Sequence, residues 1–164
     1  MARNYQMDSV MDESKLYRYS LTRIWDEGGR KVTFIMLNPS TADAYEDDST
    51  VKKCIGFAKR WGYGSIEIVN LFALRATDCK DLLESEDPVG KENDKFILNA
   101  VKSADKVIVG WGNECSFSSR DKEVLLKIAD YNPYYLVLNK TGKPRHPLYV
   151  KYDIEPTIYP IKLL

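Results

Sequence analysis

Asn38 is the first side chain of this 164-residue sequence whose type and context suit chemistry on a polar ligand. It follows the apolar run at residues 32–37 and precedes Pro39. Because proline disfavours a helical conformation at the residue before it, we expect the chain to turn sharply at Asn38. The side-chain amide can donate and accept hydrogen bonds, so it could position a water molecule or hold a ligand. The alternative is an ordinary turn, since Asn-Pro is a common turn dipeptide.

His146 is the second such side chain and the only histidine. It lies in the segment Arg145-His146-Pro147, where we predict a loop. An imidazole suits proton transfer near neutral pH, or hydrogen bonding to an anion that develops during a reaction. We therefore predict that Asn38 and His146 are the catalytic residues. A histidine in an exposed loop with no further role is the alternative.

Asn70 interrupts the apolar run at residues 66–72. A buried amide costs stability unless it is hydrogen-bonded, and its mixed donors and acceptor suit the edge of a nucleobase. A structural hydrogen bond to a neighbouring loop explains it equally well. Hydroxyl, indole, amide and guanidinium groups stand near the ends of other apolar runs, and the two arginines suit contacts with phosphate. The complete set of predicted ligand contacts is Pro39, Ser40, Thr41, Asn70, Arg75, Trp111, Asn113 and Arg145.

Alternating strand and helix patterns would position these side chains. We predict a loose N-terminal arm at residues 1–14 and a single α/β domain at residues 15–164. Its fold is expected to be a three-layer α/β/α sandwich with a mainly parallel central sheet and an N-terminal strand. Ligands of such sheets bind beyond the carboxyl ends of the strands, where the candidates should converge. The predicted strands cover residues 16–25, 31–37, 65–72, 106–111 and 134–138, with an edge strand in 156–164, and the predicted helices cover 49–61, 78–84, 92–103 and 118–129.

The composition excludes several classes of protein. Lys plus Arg and Asp plus Glu are both 24, so the total charge does not indicate a strongly basic nucleic-acid binder. No apolar run reaches the roughly 18 residues of a membrane span, and no secretion signal is evident, so we expect a cytoplasmic protein without a membrane partner. Three separated cysteines and one histidine predict reduced thiols, no zinc site and no cofactor.

Familiar phosphate and nucleophile motifs are missing from the sequence. It has no GxxxxGK[ST] loop, no GxGxxG turn and no GxSxG elbow, so kinase, dinucleotide-dehydrogenase and ordinary α/β-hydrolase functions lose their main support. The acidic segment 43–48 could bind Mg²⁺ in principle, although acid-rich loops are more often simply solvated.

Five segments together resemble a bacterial and phage family that is known only as domain of unknown function 1643. The resemblance runs from about Tyr17 to Tyr149 and implies no established activity. The segments are Met36-Leu37-Asn38-Pro39-Ser40-Thr41-Ala42-Asp43, Asn70-Leu71-Phe72-Ala73-Leu74-Arg75-Ala76-Thr77, Asp87-Pro88-Val89-Gly90 with Asn93-Asp94, Trp111-Gly112, and Pro144-Arg145-His146-Pro147-Leu148-Tyr149.

The same order of motifs is more distantly similar to the uracil-DNA glycosylase superfamily. By this resemblance, Asn38 would position the attacking water, Asn70 would bind the base edge, and His146 would stabilise the departing base. The sequence departs from the superfamily pattern at Met36, where glycine is usual, and at Leu148, where serine is usual.

Three functions follow from these observations. The first is an enzyme that cleaves the N-glycosidic bond of a nucleobase in DNA, or in a free nucleoside or nucleotide. The second is a non-catalytic module that binds a nucleotide or modified base, and the third is a phosphate-handling enzyme that uses the acidic segment and Mg²⁺. A nucleobase-containing ligand is thus the expected partner, and no oligomeric state is predicted. The neutral total charge weighs against tight, sequence-independent DNA binding.

Overall fold

The computed structural model describes residues 5–40, 46–115 and 119–161. Within them, one sheet has the strand order β1-β2-β4-β3-β5-β6-β7. The strands are β1 Gln6–Met11, β2 Arg18–Ile24, β3 Lys31–Met36, β4 Ser65–Asn70, β5 Lys106–Val109, β6 Tyr134–Tyr135 and β7 Thr157–Ile158. The helices are α1 Ser49–Arg60, α2 Cys79–Glu84, α3 Asn93–Lys102 and α4 Arg120–Ile128, with 3₁₀ turns at Ala129–Tyr131 and Pro147–Tyr149. The α/β class predicted from the sequence is confirmed.

The sheet is mixed, so the prediction of a mainly parallel sheet is not confirmed. β4, β3, β5 and β6 form a parallel centre. β1, β2 and β7 join it through antiparallel pairings at the two edges. A parallel neighbour needs a long crossover, usually a helix, and no helix connects β1 to β2 or β2 to β3.

The N-terminal segment differs from its prediction as a loose arm. β1 pairs with β2 from Gln6↔Ile24 to Met11↔Arg18, with a register shift between Val10 and Met11. The side chains of β1 alternate between exposed and half-buried. Backbone pairing with β2 therefore orders residues 6–11, although their polar sequence contributes little to the core.

The alternation of side chains along β3 shows how the sheet divides the core. Val32, Phe34 and Met36 lie in one apolar cluster with residues of α1. Ile35 lies in a second cluster, with apolar residues of α2, α3 and α4. Successive side chains of a strand point to opposite faces, so helices cover both faces of the sheet.

The cap and the apolar face of α1 explain why this helix could be predicted from the sequence. Asp48 caps the helix by accepting a hydrogen bond from the Val51 N–H at 2.9 Å. Val51, Cys54, Ile55, Phe57 and Ala58 are buried on one face. The predicted helix at 49–61 is thus confirmed to within one residue. The strand predicted at 134–138 is wrong beyond Tyr135, because Leu138 pairs with Pro144 in a local turn instead of continuing along β5.

Two of the three cysteines contradict the prediction of reduced thiols. Cys79 and Cys115 form a disulfide, with their Cα atoms 5.5 Å apart, whereas Cys54 is free and buried. Their separation by 36 residues conceals the contact, because the fold alone brings the start of α2 beside the segment that follows β5. Within the part of the chain that the structure describes, no helix has the length and apolar character needed to cross a membrane.

Candidate functional site

A cavity of about 500 Å³ lies at the carboxyl ends of β3 and β5. Loops after these two strands and after β6 contribute its walls, as expected for a ligand site in an α/β sheet. We call it the Asn38–His146 cavity. It is lined by Leu37, Asn38, Thr50, Trp111, Gly112, Asn113, Glu114, Asn139, Arg145, His146, Leu148 and Tyr149.

Two glycines allow the segment at 144–147 to pack against the end of β5. A Cβ atom on Gly110 would lie 2.9 Å from Pro147 Cδ and 3.2 Å from the Arg145 carbonyl oxygen, which is closer than ordinary packing permits. Gly112 has a positive φ of 77° and donates its N–H to the Pro144 carbonyl at 2.8 Å. Residues without a side chain therefore set the distance between β5 and the loop that carries His146.

The Asn38 side chain is fixed by two hydrogen bonds. Its Nδ2 donates to the Ala76 carbonyl at 2.8 Å and to the Pro39 carbonyl at 3.0 Å. Both amide protons are thereby used, and among the described residues no donor bonds to Oδ1. Asn38 can therefore offer the cavity a hydrogen-bond acceptor whose orientation is already set.

The His146 ring has a defined tautomer. Nδ1 accepts the Leu148 N–H at 3.2 Å, so the proton of the neutral ring is on Nε2. Burial lowers the pKa of His146 below its ordinary value, and the nearby negative charge of Asp48 offsets this only in part. The cavity therefore contains a neutral imidazole with an Nε2–H donor at neutral pH.

Trp111 places an indole in the cavity wall. It is buried, with 3% of its surface exposed. The Nε1–H is buried and has no hydrogen-bond acceptor among the described residues. A buried donor without a partner is unusual in folded proteins and is often explained by a bound group.

A network of polar side chains forms another part of the wall. Arg145 Nε donates to Asn139 Oδ1 at 2.8 Å, and Asn139 Nδ2 donates to Asn113 Oδ1 at 3.1 Å. Thr141 Oγ1 donates to the same Asn113 oxygen at 2.6 Å. We call these four residues the Arg145 network. Asn139 and Thr141 were not among the predicted contacts, although Asn139-Lys140-Thr141-Gly142 has the composition of a turn.

The start of α1 lies close to this site. Thr50 lines the cavity, and Asp48 accepts a hydrogen bond from Ser40 Oγ at 3.0 Å. Ser40 thus helps to hold the capping residue and does not line the cavity. The other lining residues that were not predicted directly follow or closely flank predicted ones; they are Leu37, Gly112, Glu114, Leu148 and Tyr149.

The structure brings five predicted residues together and leaves the others apart. Asn38, Trp111, Asn113, Arg145 and His146 all line the cavity. Thr41 lies outside the described residues. The functional roles of all these residues stay predictions.

The remaining predicted contacts do not line this cavity. Pro39 is buried, and its carbonyl accepts the Ala76 N–H at 3.1 Å. Asn70 is at the carboxyl end of β4 but is 3% exposed, and its carbonyl accepts a hydrogen bond from Asn93 Nδ2 at 2.9 Å. Arg75 Nη1 donates to the Lys15 carbonyl at 3.0 Å. Neither Asn70 nor Arg75 is among the residues that line the cavity.

The acidic segment is only partly described, and its two last residues have structural partners. Asp47 forms an ion pair with Arg23 at 2.8 Å, and Asp48 caps α1. Among residues 5–40, 46–115 and 119–161, no group of three or more His, Cys, Asp or Glu side chains is placed to hold a metal ion.

Comparison with known families gave a match. The family described as "Protein of unknown function (DUF1643)" matches residues 18–148. No match was found among curated proteins or among solved structures.

Proposed function

The chain belongs to the family of unknown function DUF1643, and from the chemistry of its cavity we propose that it cleaves the N-glycosidic bond of a nucleobase-containing ligand. His146 carries this proposal. A neutral ring whose proton is held on Nε2 is a donor suited to a nucleobase oxygen that gains negative charge.

Asn38 would supply the complementary acceptor. Its two amide protons are bound to backbone carbonyls, so Oδ1 does not need to reorganise before it accepts a hydrogen bond from water. Fixed groups of this kind lower the cost of reaching the transition state. A donor for the leaving base and an acceptor for the nucleophile line the same cavity.

The proposed reaction is a hydrolysis. The oxygen of a water molecule held by Asn38 bonds to the anomeric carbon, and the carbon–nitrogen bond to the base breaks. The bonding electrons leave with the base, whose developing charge is stabilised by the Nε2–H of His146. The proton lost by the water passes to the departing base or to solvent, so the products are the free base and a sugar hydroxyl.

The fold is compatible with this proposal. Helices cover both faces of a sheet whose centre is parallel, and the cavity is at the carboxyl ends of the central strands. The order of the Asn38, Trp111 and His146 motifs resembles that of the uracil-DNA glycosylase superfamily, and we propose a three-layer arrangement of that type. Asn70 does not line the cavity, so reading of the base would fall to other side chains.

A screen for base release tests the proposal. Single- and double-stranded DNA with damaged bases, free nucleosides and free nucleotides would be incubated with the protein, and released bases would be measured by chromatography. We expect His146→Ala to slow release by about 100-fold or more. Asn38→Ala should slow release strongly while leaving ligand affinity within a few-fold. Lys140→Ala, an exposed residue outside the cavity, is the control.

Two outcomes would contradict hydrolysis. Absence of base release from every substrate, together with nucleotide binding that depends on the cavity residues, would favour a non-catalytic binding module. Equal losses of thermal stability in the His146 and Asn38 variants, with no ligand-dependent difference, would indicate that both residues are only structural.

A further inference from the structure

The direction of the hydrogen bonds in the Arg145 network determines what the wall can bind. The oxygen of Asn139 accepts from Arg145, and the oxygen of Asn113 accepts from both Asn139 and Thr141. Each amide oxygen therefore already accepts at least one hydrogen bond within the network. The nitrogens of the network that have no partner among the described residues are hydrogen-bond donors.

These donors belong to Arg145 and Asn113, and the Arg145 guanidinium is charged. No acceptor among the described residues bonds to the terminal nitrogens of Arg145 or to Asn113 Nδ2, and both residues line the cavity. A guanidinium group presents several N–H donors in a planar fork and carries a positive charge. A wall of this kind is complementary to an anion rich in oxygen atoms.

We propose that the Arg145 network binds the phosphate monoester of a free nucleotide, so that the ligand of the cavity is a nucleoside monophosphate. This rests on the proposed function for the nucleobase part of the ligand. The planar fork of Arg145 matches two phosphate oxygens, and Asn139 holds the fork through Nε. Asn113 Nδ2 supplies a further donor.

The charges around the cavity favour a single phosphate over a nucleic-acid strand. Among the described residues, Arg145 is the one arginine or lysine that lines the cavity, and Glu114 lines it as well. Binding of a strand draws most of its affinity from many Lys and Arg contacts to successive phosphates. One cation beside one carboxylate suits a ligand with one anionic group, and the neutral total charge of the chain agrees with this.

Calorimetric titration at low salt tests the proposal. The probes are ribonucleosides and deoxyribonucleosides, their 5′-monophosphates, inorganic phosphate, and a short single-stranded oligonucleotide without terminal phosphates. We expect the monophosphates to bind at least about tenfold more tightly than the matching nucleosides, the effect of one charge-assisted hydrogen bond. Arg145→Gln should remove this preference and leave nucleoside binding within about twofold, whereas Arg145→Lys should keep part of it.

Two further variants separate the geometry of the site from its charge. Lys140→Gln removes a positive charge from the same loop at an exposed position outside the cavity, and it should retain the preference. Asn139→Ala should weaken the preference without changing the charge, because Arg145 loses the acceptor that holds it. Thermal melting of each variant shows whether it is folded.

The proposal is overturned if nucleosides and monophosphates bind equally, if nothing containing phosphate binds, or if Lys140→Gln acts like Arg145→Gln. Tighter binding of the oligonucleotide than of any monophosphate would overturn the assignment to a free nucleotide. Failure of the proposed function is distinguishable. If a preference for phosphate depends on Arg145 but no base is released, the phosphate site is supported and the proposed hydrolysis is not. If bases are released from nucleosides without such a preference, the hydrolysis is supported and the phosphate site is not.

Discussion

Arg23 and Arg145 show two ways in which this chain uses a guanidinium group. Arg23 is fully buried, and its Nε bonds to Asp47 at 2.8 Å while its Nη1 bonds to the Thr22 carbonyl at 2.7 Å. Arg145 also uses its Nε, toward Asn139, but its terminal nitrogens meet no acceptor among the described residues. The charge of Arg23 is neutralised inside the fold, whereas that of Arg145 is left beside a cavity.

The difference separates groups that stabilise the protein from groups that are available to a ligand. A buried charge must be paired, so the partners of Arg23 are obligatory. Arg120 follows the same rule, with bonds to the Leu71 carbonyl and to the carboxylates of Glu123 and Asp94. A half-buried charge held by a neutral amide, as in Arg145, keeps its capacity to bind an anion.

The largest expected effect is at the buried ion pair. Asp47→Ala removes the carboxylate that bonds to Nε of the buried Arg23 and also removes the acceptor of the Tyr5 hydroxyl. We expect the free energy of unfolding to fall by about 3–5 kcal/mol, measured by urea denaturation. Glu46→Ala, an exposed neighbour with the same charge, should change it by less than about 0.5 kcal/mol. Similar values for the two variants would remove the distinction between the two arginines.

The next largest effect on stability is expected at Gly110, which packs against the segment 144–147 that carries Arg145. Gly110→Ala would bring a Cβ within 2.9 Å of Pro147 Cδ, so either the loop or β5 must shift. We expect a loss of about 1–3 kcal/mol in thermal unfolding, together with weaker nucleotide binding. Gly28→Ala is the control, because its added Cβ has nothing closer than Asp26 Oδ1 at 3.8 Å. Unchanged binding in Gly110→Ala would show that the distance between loop and β5 does not matter for the site.

A smaller effect on stability is expected for Arg145 itself. Arg145→Gln removes one hydrogen bond to a neutral amide and no ion pair, so the free energy of unfolding should fall by about 1 kcal/mol or less. Urea denaturation beside Asp47→Ala gives the direct comparison. A loss as large as that of the ion-pair variant would mean that Arg145 is also a structural arginine.

The smallest effect on stability is expected at His146. Its Nδ1 accepts a hydrogen bond from the Leu148 N–H, whereas Nε2 has no partner among the described residues. Its pKa is lowered below the ordinary value in the folded protein, mainly by burial. Between this lowered value and the unfolded value of about 6.5, the unfolded chain binds more protons, so stability should fall as pH decreases through this window. His146→Gln should remove that part of the pH dependence.

Nitrogen NMR offers the direct measurement, since the chain has one histidine and will show one imidazole pattern. We expect the Nε2–H tautomer and a midpoint below the ordinary value. The Nδ1–H tautomer would contradict the assigned role of His146.

The sequence was informative where local rules determine the structure. The Asp48 cap and the helical spacing of Val51, Cys54 and Ala58 located α1 to within one residue. Ligands of α/β sheets bind at the carboxyl ends of the strands, which predicted that Asn38 and His146 would lie close together. Both line one cavity, although they are more than a hundred residues apart in the chain.

Tertiary contacts determine what the sequence could not supply. Asn139 and Thr141 bond to Asn113 because the chain turns back after β6. The apolar pattern of residues 134–138 predicted a longer strand and gave no sign of this turn. Asn70 was expected in the site because it also ends a strand. Its strand is next to β2, however, on the side of β3 away from β5 and the cavity. Nor does the spacing of Cys79 and Cys115 reveal that they meet.

The N-terminal strand has a practical consequence for anyone who shortens this protein. A chain that starts after residue 14, as its polar composition invites, would lack both β1 and Tyr5. β2 would then become the edge of the sheet, with unpaired N–H and C=O groups that favour aggregation. The hydroxyl that bonds to Asp47 would be lost with it. A shortened version of this protein should therefore retain Tyr5 and β1.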